Sequence, residues 1–206
     1  MKDTILIKAA ELFTRHGIKG VTMDDVARHL SVSKKTLYQH YTDKDELVES
    51  MVKEQVKMTE LQCTSFKNTA ENAVDELILI MEFMNQYFSQ RNPTAFHDLQ
   101  KYHTKAWGLF LHHKEHFLRK GIEENLKRGI KEKLFHADLN IKIVSKLRME
   151  QIECVFDPQI FPINEFNIQQ VHVHSMKLYA YGITTIKGHQ LINKYLSKLT
   201  KKKQKI

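Results

Sequence analysis

The chain has 206 residues, enough for one or two domains with a sizeable core, and its 7 Gly and 3 Pro leave little material for strand-to-strand turns. Leu, Ile, Lys, Glu, Gln and Met are abundant and helix-compatible, so the expected fold class is all-α. The net charge of +8 does not by itself argue for nucleic acid: residues 1–50 hold eight basic and eight acidic side chains, 51–165 hold sixteen of each, and 166–206 hold eight Lys and no acid. That excess runs out in Lys201, Lys202, Lys203 and Lys205 and reads as a solvated terminus. Cys63 and Cys154 make no disulfide framework. The longest apolar runs, 77–81 and 106–111, are far too short to cross a bilayer, and no apolar signal core opens the chain. These features point to a cytoplasmic protein without a membrane partner.

Ile5, Ala9, Leu12, Phe13 and His16 share one face of a first helix over 3–16, which Gly17 ends. Thr22 with Asp25 predicts a capping box for a short second helix over 23–30, with Val26, Ala27 and Leu30 inward. Residues 31–33 form a turn, and Ser33 caps a third helix over 34–40 with Leu37 and Tyr41 inward. Asp43 and Glu46 start a fourth helix over 44–66. Further helices are expected over 70–90, 95–106, 109–129, 137–156, 165–184 and 188–199, with breaks at Asn92-Pro93, Asp157-Pro158 and Pro162 and a bend near 184–187.

Two short helices joined by a three-residue turn, the second polar and basic on its outer face, describe a helix-turn-helix. No acid lies between Asp25 and Asp43, while Arg28, Lys34 and Lys35 do. A helix in the major groove needs side chains for base edges and none that repel phosphate. Lys34, Lys35, Thr36 and Gln39 suit that task, Tyr38, His40 and Tyr41 can brace the backbone, and amides near Thr22 and Lys44 suit phosphates. The alternative is a plain three-helix packing unit with a solvated face. The residues favour the helix-turn-helix. The pattern Ala10-x-Leu12-Phe13-x4-Gly17-x4-Thr22-x3-Val26-Ala27-x4-Val32-Ser33-x3-Leu37-Tyr38-x-His40-Tyr41-x2-Lys44-x2-Leu47 closely resembles the N-terminal domain of the TetR family of bacterial regulators. The resemblance covers about residues 2–55. It implies backbone contacts from Thr22, Tyr38, His40, Tyr41 and Lys44, and base or phosphate contacts from Lys34, Lys35, Thr36 and Gln39, with Ser33 a further candidate DNA contact. One departure is Ser31, where the family usually has glycine.

The expected organisation is a DNA-binding domain at 1–55 and a helical effector-binding and dimerisation domain at 56–206. A seven-residue recognition helix covers few bases, so a homodimer on a palindromic double-stranded DNA operator is expected. Helices 137–156 and 165–184 are apolar on more than one side, as a shared interface requires. A small hydrophobic effector suits the Met- and aromatic-rich region 44–129, with Met58, Gln62, Phe83, Tyr87, Phe110 and His113 as candidate contacts. The resulting reading is a repressor released by that effector; a DNA-binding regulator or architectural protein without an effector is the alternative. No phosphate loop, nucleophile motif or HExxH site speaks for an enzyme, and no cofactor is implied. His112 and His116 have metal-pair spacing and His172 and His174 lie two apart, but with 12 histidines in the chain such pairs arise by chance, and no metal site is expected. Neither cysteine has an activating neighbour pattern.

Overall fold

The computed structural model describes residues 1–92 and 94–203, with side chains up to residue 198. Pro93, the side chains of Lys201, Lys202 and Lys203, and Lys205 lie outside the described residues. The fold is helical: α1 (Lys2–His16), α2 (Met23–Leu30), α3 (Lys34–Tyr38), α4 (Lys44–Thr69), α5 (Ala73–Ser89), α6 (Ala95–Tyr102), α7 (Thr104–His113), α8 (Arg119–Lys131), α9 (Ile141–Cys154), α10 (Ile168–Ile183) and α11 (Ile186–Lys203). A π-helical stretch, Lys114–Leu118, joins α7 to α8 without a break.

Local signals set most of these limits. Gly17 stops α1 at φ 80, a left-handed backbone that suits glycine, and its amide closes onto the Phe13 carbonyl at 3.0 Å. Thr22 and Asp25 form the reciprocal capping box that starts α2. Asn72, Asn140 and Asn167 each accept a backbone N–H in the first turn of α5, α9 and α10. These caps place the three starts later than hydrophobic periodicity alone suggests.

The junction expected at 107–108 is absent. The chain instead leaves the helix at His103, at φ −127 and ψ 64, and runs helically from Thr104 to Lys131. A tertiary tie accounts for the shift: the buried His103 ring meets Asp45 of α4 at 2.5 Å between Nδ1 and Oδ1.

Two apolar cores form. The first joins Ile5, Ala9, Phe13, Val26, Leu37, Tyr41 and Leu47 with Leu99 and Ala106, so α6 and α7 pack into the same core as the first four helices. The second gathers Val74, Leu77, Leu126, Phe135, Met176, Tyr179 and Ile192 from α5, α8, α10, α11 and the loop after α8. A two-residue bridge, Phe135 to Thr184, closes that second core. Phe135 lies over Gly129, where an added Cβ would stand 2.1 Å from the ring.

Candidate functional site: a helix-turn-helix and an aromatic cavity

The helix-turn-helix lies at residues 22–44. Thr22 Oγ1 accepts from the Asp25 amide at 3.2 Å and donates to Asp25 Oδ2 at 2.6 Å, while the Thr22 amide donates to the same carboxylate at 2.8 Å. These bonds hold the Asp25 carboxyl below its ordinary pKa. The turn passes through Ser31 at φ 55 and ψ 37, the left-handed region expected from the family's usual glycine. Ser33 Oγ then accepts from the Thr36 amide at 3.0 Å and starts α3.

α3 is shorter than the periodicity suggests and ends at Tyr38, after which amides 39, 40 and 41 turn back onto the carbonyls of Lys35 and Leu37. Ser33, Lys34, Lys35, Tyr38 and Gln39 are exposed, and Thr36 and His40 are half-buried. Tyr41 corrects the backbone-contact expectation. Its side chain is 1% exposed and belongs to the first core, so it supports the unit from inside. Lys34 is also less free than the sequence suggests, because its Nζ pairs with Asp24 Oδ2 at 2.5 Å. Arg28 is likewise paired, with Asp25. Lys44 is half-buried; its Nζ donates to the Lys19 carbonyl at 3.4 Å, and burial lowers its pKa.

Behind this unit lies a cavity of about 520 Å³, bounded by α1, α4, α5, α6, α7, α9, α10 and the 163–167 segment. The size suits a drug-sized ligand. Its walls are aromatic: Phe96 stacks on Phe156 at 3.8 Å between centroids and meets Phe110 edge-on at 5.2 Å, and Phe88 meets Phe156 and His172 at 5.2 and 5.0 Å. Tyr87, Phe110 and His113 of the expected contacts line it; Met58, Gln62 and Phe83 do not. Met58 is 61% exposed on the outer face of α4, and Phe83 packs edge-on against Phe66. Helical phase is the reason, since hydrophobicity does not report which face of α4 turns inward. His113 Nδ1 bonds Glu60 at 3.0 Å, and burial lowers its pKa. Cys63 also lines the cavity, and burial raises its thiol pKa to about 11, away from the reactive thiolate.

Sequence reasoning missed three basic lining residues: Arg91, Arg148 and His172. Arg148 left a trace, since it interrupts the apolar row Val144, Arg148, Ile152 on α9. The His112 and His116 rings stand 4.2 Å apart, but among the described residues no three His, Cys, Asp or Glu side chains group to hold a metal ion. No helix among the described residues is long and apolar enough to cross a membrane.

Residues 5–51 match the family model for bacterial regulatory proteins of the tetR family. A full-length relative is the uncharacterized HTH-type transcriptional regulator YvaF of Bacillus subtilis, 26% identical over 187 residues that span 89% of this chain and 96% of that protein. The N-terminal region of the chain thus carries the DNA-binding domain of the tetR family. The negative transcriptional regulator IcaR of the icaADBC biofilm operon in Staphylococcus aureus is 40% identical over 53 residues, 26% of this chain and 28% of IcaR. In fold, a TetR-family transcriptional regulator from Agrobacterium tumefaciens superposes with a TM-score of 0.73 at 13% identity, over 89% of this chain and 97% of that one. The chain is a DNA-binding transcription regulator.

In this regulator the cavity wall and the helix-turn-helix share a mechanical element. Asn92, Ala95, Phe96 and Leu99 line the cavity. The same segment holds the DNA-reading unit: the Asn92 amide donates to the Thr14 carbonyl at 2.7 Å, and the buried Asp98 accepts from the Lys19 amide at 2.9 Å. Gly17 fits this contact closely, with an added Cβ only 3.0 Å from Thr94 Oγ1.

Proposed function

We propose that the chain is a homodimeric repressor that occupies a palindromic operator and is released when a small apolar effector fills the cavity. Residues 1–55 read DNA and residues 56–206 sense and dimerise. Lys34, Lys35, Thr36 and Gln39 face the bases or nearby phosphates, while Thr22, Ser33, Tyr38, His40 and Lys44 contact the backbone. Tyr87, Phe110 and His113 contact the effector.

The observation that carries this reading is the α6 connection. An occupant that displaces Phe96 or Leu99 moves α6 and the segment leading into it, whose Asp98 and Asn92 grip the loop after α1 and the end of α1. Two recognition helices must sit about 34 Å apart to enter successive major grooves. A small rotation of each DNA-reading unit breaks that spacing, and the effector shifts the population by its differential affinity for the two states. Dimerisation is supported by large apolar side chains left exposed on the monomer: Ile143 and Leu147 on α9 are 57% and 60% exposed, and Leu178 on α10 is 74% exposed.

The test pairs operator selection from random DNA with light scattering and a compound screen. The expected result is a dimer, a two-fold symmetric site and a compound class that lowers operator affinity. A monomer at micromolar concentration, or full operator affinity with the cavity demonstrably occupied, overturns the proposal.

A further inference from the structure

Arg148 is 4% exposed and carries an uncompensated charge. Its guanidinium donates to Gln151 Oε1 at 3.3 Å, Ser175 Oγ at 3.1 Å and the Met176 sulfur at 2.5 Å, and stands 5.1 Å from the Tyr179 ring centroid. Every one of these partners is neutral. Among the described residues no carboxylate lies within ion-pair distance of Arg148. Other basic groups withdrawn from solvent are treated differently: the buried Lys114 pairs with Glu153, and the half-buried Arg128 pairs with Glu76 and Glu132. A buried charge without a counter-ion is costly, and such groups are ordinarily paired.

The surroundings repeat the pattern. Arg148 lines the cavity, and so does His172, whose buried Nε2 has no hydrogen-bond partner. Arg91 lines it too, packed 3.7 Å from the Tyr87 ring centroid and also without an acid among the described residues. The lining carboxylate, Glu165, is on the exposed segment between α9 and α10. The site therefore combines an apolar aromatic body with a positive interior end. A planar guanidinium fork matches a carboxylate in shape and charge. One fully buried cation also matches a singly charged head better than a phosphate dianion.

We propose that the cavity binds an apolar carboxylic acid, with its carboxylate on Arg148 and its hydrocarbon body among Phe88, Phe96, Phe110 and Phe156. This rests on the cavity being the effector site, and it names the class of effector. His172 Nε2 supplies a second polar contact to the head group, and Ile163 and Phe166 cover the apolar end.

The experiment titrates the full chain with decanoate, decanol and decyl phosphate, and in parallel with 2-naphthylacetate and 2-naphthylethanol, by calorimetry. Operator binding is read in the same samples. The acids should bind at least tenfold more tightly than the matching alcohols and than decyl phosphate. The better of decanoate and naphthylacetate separates a straight-chain from an aromatic source. Arg148→Met should weaken the acid by about 10- to 100-fold, as loss of a charge-assisted bidentate contact does, and leave the alcohol unchanged. The melting temperature of that variant should not fall, because an unpaired buried charge is removed; Arg148→Lys, which keeps a cation, should retain part of the acid's advantage. Equal affinity for acid and alcohol on the unmodified protein overturns the inference, as does undiminished acid binding by Arg148→Met. Alcohols that bind and release the operator while acids do not bind overturn this inference alone. Failure of every compound to bind overturns it together with the effector reading.

Discussion

Replacing Ser31 by glycine isolates the strain stored in the turn between α2 and α3. Ser31 adopts φ 55 and ψ 37. A side chain in that region costs roughly 1–2 kcal/mol. Glycine removes this cost but gives up about 0.4–1 kcal/mol through the greater freedom of the unfolded chain. The expected net gain is about 0.5–1 kcal/mol. Little else changes: Ser31 is exposed, its hydroxyl makes no hydrogen bond to a described residue, and its amide keeps the 3.1 Å bond to the Arg28 carbonyl. For a chain of this length the gain corresponds to a rise in Tm of roughly 1–4 °C. Thermal and urea melts of the two proteins provide the measurement, with operator affinity expected to stay within about twofold because the recognition surface is untouched. Ser31→Val should move stability the opposite way, since a β-branched side chain fits this backbone poorly. An unchanged or lowered Tm in Ser31→Gly would refute the reasoning and mean that residue 31 is not held left-handed.

On DNA, Lys35→Ala should lower the slope of log affinity against log salt by about 0.9 if Lys35 neutralises one phosphate per half-site on each protomer measured separately, whereas Asp24→Asn should strengthen low-salt binding by releasing Lys34 from its 2.5 Å pair; unchanged slopes in fluorescence-anisotropy titrations would remove both side chains from the phosphate contacts. For pH, burial and then the Arg148 charge press the His172 pKa down to about 4, against about 6.5 in the unfolded chain. The unfolded state therefore binds the proton first: this contribution is fully present above pH 6.5 and is lost as pH falls towards 4, up to ~3 kcal/mol. His172→Phe should flatten that part of the stability profile in urea melts between pH 7 and 4.5, and parallel profiles for the two proteins would mean that His172 titrates normally.

The DNA-reading unit was legible because its signals are local. The Thr22 and Asp25 box, the Ser33 cap and the terminal Gly17 each act within a few residues, and α2 runs over the residues that periodicity assigned to it. The all-α class followed from composition and helical spacing in the same way. What escaped was the outcome of long-range packing. Tyr41 reads as a contact residue in the motif and is core in the fold; Asp24 lies ten residues from Lys34 in sequence and 2.5 Å away in space. The break at His103 depends on Asp45, 58 residues earlier. The cavity is the extreme case, because its wall draws on seven helices, and which side chains enter it depends on the rotational phase of each. Sequence by itself determined the all-α class, α2, the caps at Thr22 and Ser33 and the helix-turn-helix, since these depend on backbone bonds between near neighbours. Tertiary structure alone decided that Arg148 is buried without a counter-ion in an aromatic chamber, because charge compensation depends on which distant carboxylates come close, and here none among the described residues does.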